Sequence, residues 1–132
     1  MRRRLVFVVA VVLPVLLLLA ACGGDDDAGA SPAETLVGTW EGSSVKYEFN
    51  EDGSHLAVVV GFQVEQGQYE VEGDLLTLRR DEEAILCAGT TGQYRLVFDG
   101  ADTLSFELVE DGECPQAAET TRDANPYERS SG

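Results

Sequence analysis

Few side chains in this chain are suited to covalent or acid–base chemistry: three cysteines (Cys22, Cys87 and Cys114), a single histidine (His55), and runs of carboxylates. Ser54 and His55 are adjacent, and neighbours on a strand project to opposite faces, so they cannot act as nucleophile and base. A lone histidine beside Leu56 is expected at the surface. Paired-carboxylate catalysis needs two acids opposed across a cleft at about 5–9 Å, whereas Asp81, Glu82 and Glu83 are contiguous and are expected to face water. Asp25-Asp26-Asp27 has no shaped loop around it, and Asn50-Glu51-Asp52-Gly53 starts like a calcium loop but lacks the later ligands. Nucleophile-elbow, phosphate-loop, dinucleotide and zinc-site spacings do not occur. The expectation is a protein without catalytic residues, metal or cofactor.

Cys22 has the most specific surroundings. Arg2, Arg3 and Arg4 precede an apolar run from Leu5 to Leu19, the basic and apolar regions of an export signal. The run ends in Leu19-Ala20-Ala21-Cys22, which resembles the lipobox of bacterial lipoproteins. That resemblance implies a diacylglyceryl group on the Cys22 thiol and cleavage just before it, so that residues 1–21 are a signal peptide. A membrane-spanning anchor needs about 20 apolar residues, and this run is shorter and interrupted by Pro14. An ordinary secretory signal fits the small residues Ala20 and Ala21 but leaves Cys22 without a role. Two acyl chains anchor stably, at about 0.8 kcal/mol per buried methylene. The membrane is then a partner through Cys22, and the expected location is the extracytoplasmic face of the cell membrane.

Cleavage before Cys22 leaves 111 of the 132 residues, enough for one domain with a modest core. All 24 acidic residues lie beyond the cut and three of the nine basic ones before it, which takes the net charge from −15 to −18. Nucleic acid and anionic headgroups, both bound through Lys and Arg, are excluded as partners. The acidity serves either as a solvated surface or as a face for a basic envelope protein. If Cys22 carries lipid, Cys87 and Cys114 remain as an even pair in an oxidising compartment, and a disulfide between them is expected. Closing that loop is worth about 3.5 kcal/mol on the chain-entropy model. The alternative, a zinc site, has only His55 to add to the two thiols.

Beyond Cys22, residues 22–35 are small, acidic and breaker-rich, the composition of a flexible tether with a reach of about 20 Å. From Leu36 the pattern changes to runs of period two separated by Asp, Asn and Gly turns. Val45, Tyr47 and Phe49 lead into Asn50-Glu51-Asp52-Gly53; Leu56, Val58, Val60, Phe62 and Val64 share a face; Tyr69 and Val71 precede Glu72-Gly73-Asp74. Leu76 and Leu78 follow, then Tyr94, Leu96 and Phe98, the turn Asp99-Gly100-Ala101-Asp102, and Leu104, Phe106 and Leu108. With further strands at 38–42 and 84–88, about eight strands form a meander. Closure removes exposed edges, so the expected fold is all-β, a small antiparallel up-and-down barrel over residues 36–115. Residues 116–132 are read as a tail, weakly helical over Pro115 to Arg122, stopped by Asn125-Pro126 and disordered beyond Tyr127.

Gly38-Thr39-Trp40, followed by Glu41-Gly42, resembles the Gly-x-Trp that opens the barrel of lipocalins and their calycin relatives, where the indole closes one end. Tyr47-Glu48-Phe49-Asn50 before Asp52-Gly53, Gly67-Gln68-Tyr69 before Gly73-Asp74, and Gly92-Gln93-Tyr94 before Leu104 are similar to small exported bacterial domains of lipocalin-like type. In those domains a cysteine pair commonly flanks the final hairpin, as Cys87 and Cys114 do, with Asp111 just before the second. The likeness covers about Leu36 to Pro115. It implies a small apolar or amphipathic ligand at the barrel mouth, lined by Trp40, Tyr47, Tyr69 and Tyr94. The arginine such domains often carry after the second cysteine is replaced by Gln116-Ala117-Ala118, leaving Arg95 or Arg122 to pack over Trp40. Eight strands enclose room for side chains or for one small ligand, and many aromatics compete for it. A ligand carrier and a filled barrel acting through its acidic surface are both open at this point.

Overall fold

The structure, a computed structural model, describes residues 30–130; the export-signal stretch, Cys22 and Asp25–Asp27 lie outside them. Eight antiparallel strands form a closed barrel in which each pairs with its sequence neighbours and the eighth with the first. They are β1 (Gly38–Glu41), β2 (Val45–Phe49), β3 (Ser54–Val59), β4 (Phe62–Glu72), β5 (Leu75–Arg80), β6 (Thr91–Asp99), β7 (Thr103–Glu110) and β8 (Tyr127–Arg129). Two helices, α1 (Pro32–Leu36) and α2 (Pro115–Asp123), lie against the ends.

The alternation in the sequence builds most of the wall. Val45, Tyr47 and Phe49 are buried while Lys46 and Glu48 are not, and the same holds for Leu76 and Leu78, Tyr94 and Leu96, and Leu104 and Phe106. Asn50 to Gly53 turns the chain as expected, with Gly53 at φ 88° and the Asp52 carboxylate accepting from the Ser54 amide at 2.9 Å. Glycines at positive φ likewise serve the turns at Gly73 and Gly100.

Several expectations are corrected. The run Leu56 to Val64 is two strands, not one, broken by a hairpin at Val60-Gly61. Its inward positions are His55 and Ala57, while Leu56 and Val58 lie on the other face and are only half-buried. The reason lies across the sheet: Tyr47 pairs with Ala57 and Phe49 with His55, and residues paired across strands share a face, so the inward aromatics of β2 set the inward positions of β3. His55 is therefore buried rather than at the surface. Residues 84–88 form no strand. Asp81 to Thr90 is a loop held by its own turns, with Ala84 N–H donating to the Asp81 carbonyl at 3.1 Å and Thr90 N–H to that of Cys87 at 3.1 Å.

The eighth strand comes from the tail. Tyr127 to Arg129 is ordered and pairs with both β1 and β7, so the barrel extends well past residue 115. Three residues are too few to show a period in the sequence. Helix α2 forms where a helix is expected, but it is part of the fold: Ala118 and Thr121 are buried, and Asn125 beyond it exchanges two 2.9 Å hydrogen bonds with the backbone of Phe106. At the front, residues read as tether include α1, capped by Ser31, whose hydroxyl accepts from the Glu34 amide at 3.3 Å.

Trp40, Tyr47, Phe49, Tyr94, Phe106 and Tyr127 fill the interior with Leu36, Leu76, Leu78, Leu96 and Leu104. Phe106 meets Tyr127 edge-on at 4.9 Å and Tyr47 at 5.3 Å, geometries in which ring edges and faces attract. Because Tyr127 stands in this cluster, Tyr127→Ala is expected to cost about 3–5 kcal/mol in chemical denaturation. Arg129→Ala, which removes a partly exposed cation from Trp40, is expected to cost about 1 kcal/mol. A disordered tail would leave stability unchanged in both.

Candidate functional site at the mouth of the barrel

The two ends of the barrel differ. At the closed end, α1 sits over the turns 50–53 and 98–101. Trp40 is fully buried there, its Nε1 donating to the Leu36 carbonyl at 2.8 Å. Arg129 stacks 4.4 Å from the centre of the indole. Its guanidinium also donates to the carbonyls of Thr35, Val37 and Ala101. The cation over Trp40 is thus Arg129 from β8. Arg95 and Arg122 lie outside, paired with Asp74 at 3.5 Å and Asp123 at 3.6 Å.

The mouth is formed by the β3–β4 hairpin, the 81–90 loop and α2. Cys87 in the loop is joined to Cys114 at the start of α2, with Cα atoms 5.7 Å apart, so the expected disulfide is present and pins the helix across the opening. The Leu86 N–H donates to the Val64 carbonyl at 2.9 Å and ties the loop to β4. Beneath them lies a cavity of about 70 Å³, lined by Tyr47, Val59, Val64, Glu65, Leu86 and Ala117 among others. For comparison, an engineered apolar cavity of about 150 Å³ accommodates benzene.

Below the cavity is a polar network inside the barrel. Arg80, at the end of β5, points inward and donates through Nε to Glu65 and through Nη1 and Nη2 to the two oxygens of Asp111 at 2.9 and 2.7 Å. Nη1 also reaches Thr90 Oγ1 at 3.1 Å. Tyr94 donates its hydroxyl to Asp111. All three charged residues are 5 % exposed or less. Burial works to lower the Arg80 pKa, but Asp111 and Glu65 outweigh it and the net shift is upward. Burial works to raise that of Glu65, but His55 and Arg80 bring it below its ordinary value. The hydroxyls of Tyr47 and Tyr94 are pushed up, chiefly by burial.

His55 lies against Phe49 at 6.2 Å between ring centres, with Nε2 3.8 Å from Glu65 Oε2 and neither ring nitrogen hydrogen-bonded among the described residues. Ser54 turns the other way and bonds to Asp52, so the two adjacent residues do diverge.

The four aromatic residues read as a ligand site are not brought together. Tyr47 lines the cavity and its hydroxyl shares a 2.8 Å hydrogen bond with that of Thr121 on α2. Tyr94 belongs to the polar network, Trp40 to the closed end, and Tyr69 donates to the Asn50 carbonyl at 2.7 Å beside α1. Residues on strands of different register reach different heights in the barrel, which period-two reading cannot resolve. Glu65 and Arg80 were not identified in the sequence, since each is one charged residue in a strand of otherwise ordinary alternation. A signal was present in the two Gly-Gln-Tyr triplets. A Cβ on Gly92 would lie 2.8 Å from the Asp111 carboxylate, and one on Gly67 would run into the backbone of Arg79 and Arg80.

These features define a class: a closed eight-stranded up-and-down barrel, compatible with a lipocalin-like architecture, with a filled interior and a helix pinned across its mouth. Comparison of the chain with protein-family models and with curated proteins gives no match.

Arg80 is the cation shared by two buried carboxylates, so Arg80→Ala is expected to cost about 3–5 kcal/mol at pH 7. Its pH dependence identifies the cause. In the parent, the stability gained from the depressed Glu65 pKa is complete above the ordinary value of 4.5 and declines as pH falls below it. In the variant, Glu65 has lost the guanidinium that opposes the upward effect of burial, so the stability deficit shrinks as pH falls from 7 to below about 4.5. Urea denaturation at pH 7 and pH 4 reads both; a pH-independent deficit would refute the charge argument.

Proposed function

We propose that this chain is an exported lipoprotein whose barrel is a non-catalytic interaction module, held on the extracytoplasmic face of the membrane by a diacylated Cys22. It works by meeting another envelope component at its surface. The observation that carries this reading is the filled interior: the mouth cavity is about 70 Å³, against about 300–1,000 Å³ for sites that take small organic ligands. A lipid or pigment carrier of lipocalin type draws support from the barrel architecture, and Tyr47 on the cavity wall fits it. The cavity that Tyr47 lines is too small by a factor of about four or more.

The anchor is supported by Arg2–Arg4, the apolar run and Leu19-Ala20-Ala21-Cys22. A non-catalytic reading is supported by the divergence of Ser54 and His55 and by the engagement of Glu65 and Asp111 in hydrogen bonds to Arg80. The net charge of −15 for the whole chain favours a basic protein partner over nucleic acid or an anionic bilayer.

In bacteria fed labelled palmitate, the protein is expected to take up label and, with globomycin present, to accumulate as a larger precursor. Cys22→Ser is expected to abolish both effects. An unchanged size together with absence of label would remove the anchor. Native mass spectrometry of the purified protein is expected to show no co-purified lipid; a stoichiometric lipid adduct inside the barrel would favour the carrier instead.

A further inference from the structure

The hairpin at the mouth is built against local preference. Val60 and Gly61, the two residues between β3 and β4, have φ values of 52° and 81°. A two-residue turn with both values positive favours Asn-Gly or Asp-Gly, and a β-branched residue in this region is strained. Val60 is nevertheless there, and it is 79 % exposed. Strain of this kind, kept at an exposed position, is a mark of a functional surface. Its neighbours share the character: Phe62 is 73 % exposed and Ile85 74 %, with Leu86 also exposed. These residues form one patch. Phe62 pairs with Val59, a cavity-lining residue, and Ile85 and Leu86 both contact the segment around Val64.

The surroundings restrict what can cover this patch. On one flank the 81–90 loop carries Asp81, Glu82 and Glu83, all exposed and without an ion pair among the described residues. Lys46 beside Val45 is already paired with Glu41 at 3.8 Å. A second copy of so acidic a chain would bring like charges together. The anchoring membrane is also disfavoured, an argument that rests on the lipid anchor proposed above. The chain enters the barrel through α1 at the closed end. From Cys22 to Ala30 it spans at most about 29 Å when fully extended. The β4 strand from Phe62 to Val71 is itself about 30 Å long, so the hairpin reaches the bilayer only with the linker pulled taut along the wall.

We infer that the apolar tip formed by Val60, Phe62, Ile85 and Leu86, with the small cavity behind it, is a docking surface for a protein segment that presents one apolar side chain flanked by lysine or arginine. The cavity takes the branched end of a side chain such as leucine, sealed by the tip residues. The flanking cations meet Asp81, Glu82 and Glu83. The partner lies on the side of the barrel away from the anchor.

The test uses the full protein as the cell processes it, purified in a non-ionic detergent whether or not Cys22 carries lipid, so loss of docking and loss of anchoring are read separately. The probe is a short labelled peptide with one leucine between lysines, followed by fluorescence anisotropy, with leucine-to-serine and lysine-to-glutamate versions beside it. Binding is expected to weaken about 10-fold for the serine peptide, in line with burial of one leucine side chain, and at least as much for the glutamate peptide or at high salt. Val60→Asn is the decisive variant, because asparagine suits the turn: its Tm is expected at or above the parent's while peptide affinity falls at least 5-fold. Ala117→Leu, which fills the cavity, is expected to remove the preference for leucine over serine, and Glu82→Gln with Glu83→Gln the salt dependence. Equal peptide affinity in parent and Val60→Asn would overturn the inference. So would a concentration-dependent dimer abolished by Phe62→Ser, which makes a second copy the occupant, or loss of peptide binding when the protein is moved from detergent into phosphatidylcholine vesicles, which makes it the bilayer.

Discussion

The fork of Arg80 between Glu65 and Asp111 is the constraint around which the interior is arranged. Two carboxylates and a guanidinium removed from water cost several kcal/mol each unless their hydrogen-bonding capacity is met. The structure meets it with groups from several elements: Thr90 from the loop, Tyr94 from β6, and Asp111 from the segment leading into α2. Gly92 leaves the space that Asp111 occupies. Because Asp111 is only three residues from Cys114, the network inside the barrel and the disulfide outside it hold the same short segment from two sides. The segment that leads into α2 is therefore held from inside the barrel and from outside it.

Much of the wall was legible in the sequence because strand alternation is a local property. Val45 to Phe49, Tyr94 to Phe98 and Leu104 to Phe106 point where their period says they should. The closed antiparallel barrel followed from strand number and turn spacing, and the Cys87–Cys114 pair from parity. What was missed depends on contacts distant in the chain. Leu56 to Val64 reads as one apolar strand because Val60 is an unusual residue for a turn, and its identity hides the hairpin. His55 was placed outside because nothing in its neighbours announces Phe49 and Glu65. Tyr127-Glu128-Arg129 carries no pattern; it is a strand because β1 and β7 leave a gap of one strand's width.

The candidate site shows the same division more sharply. Of the aromatic residues marked from the lipocalin likeness, Tyr47 lines the small cavity, while Trp40, Tyr69 and Tyr94 are held by hydrogen bonds to Leu36, Asn50 and Asp111. Trp40 keeps the role that the likeness implies, closing an end under an arginine, but the arginine comes from β8 instead of the segment just after the second cysteine. Apolar exposure, by contrast, cannot be read from a sequence at all. Phe62 and Ile85 look like core residues, and only the three-dimensional wall puts them outside it.

The pairing of β1 with β8 has an effect on the order of events. Trp40 sits opposite Arg129, a partner about ninety positions further along, so closure is among the most non-local steps the chain can make and comes late in folding. Until residues near 129 are available, β1 and β7 present bare edges and the indole lacks its cation. A growing polypeptide of this design remains open until residue 129 has been made. The export proposed above, in which a chain passes through a narrow channel before it takes its shape, is compatible with that order.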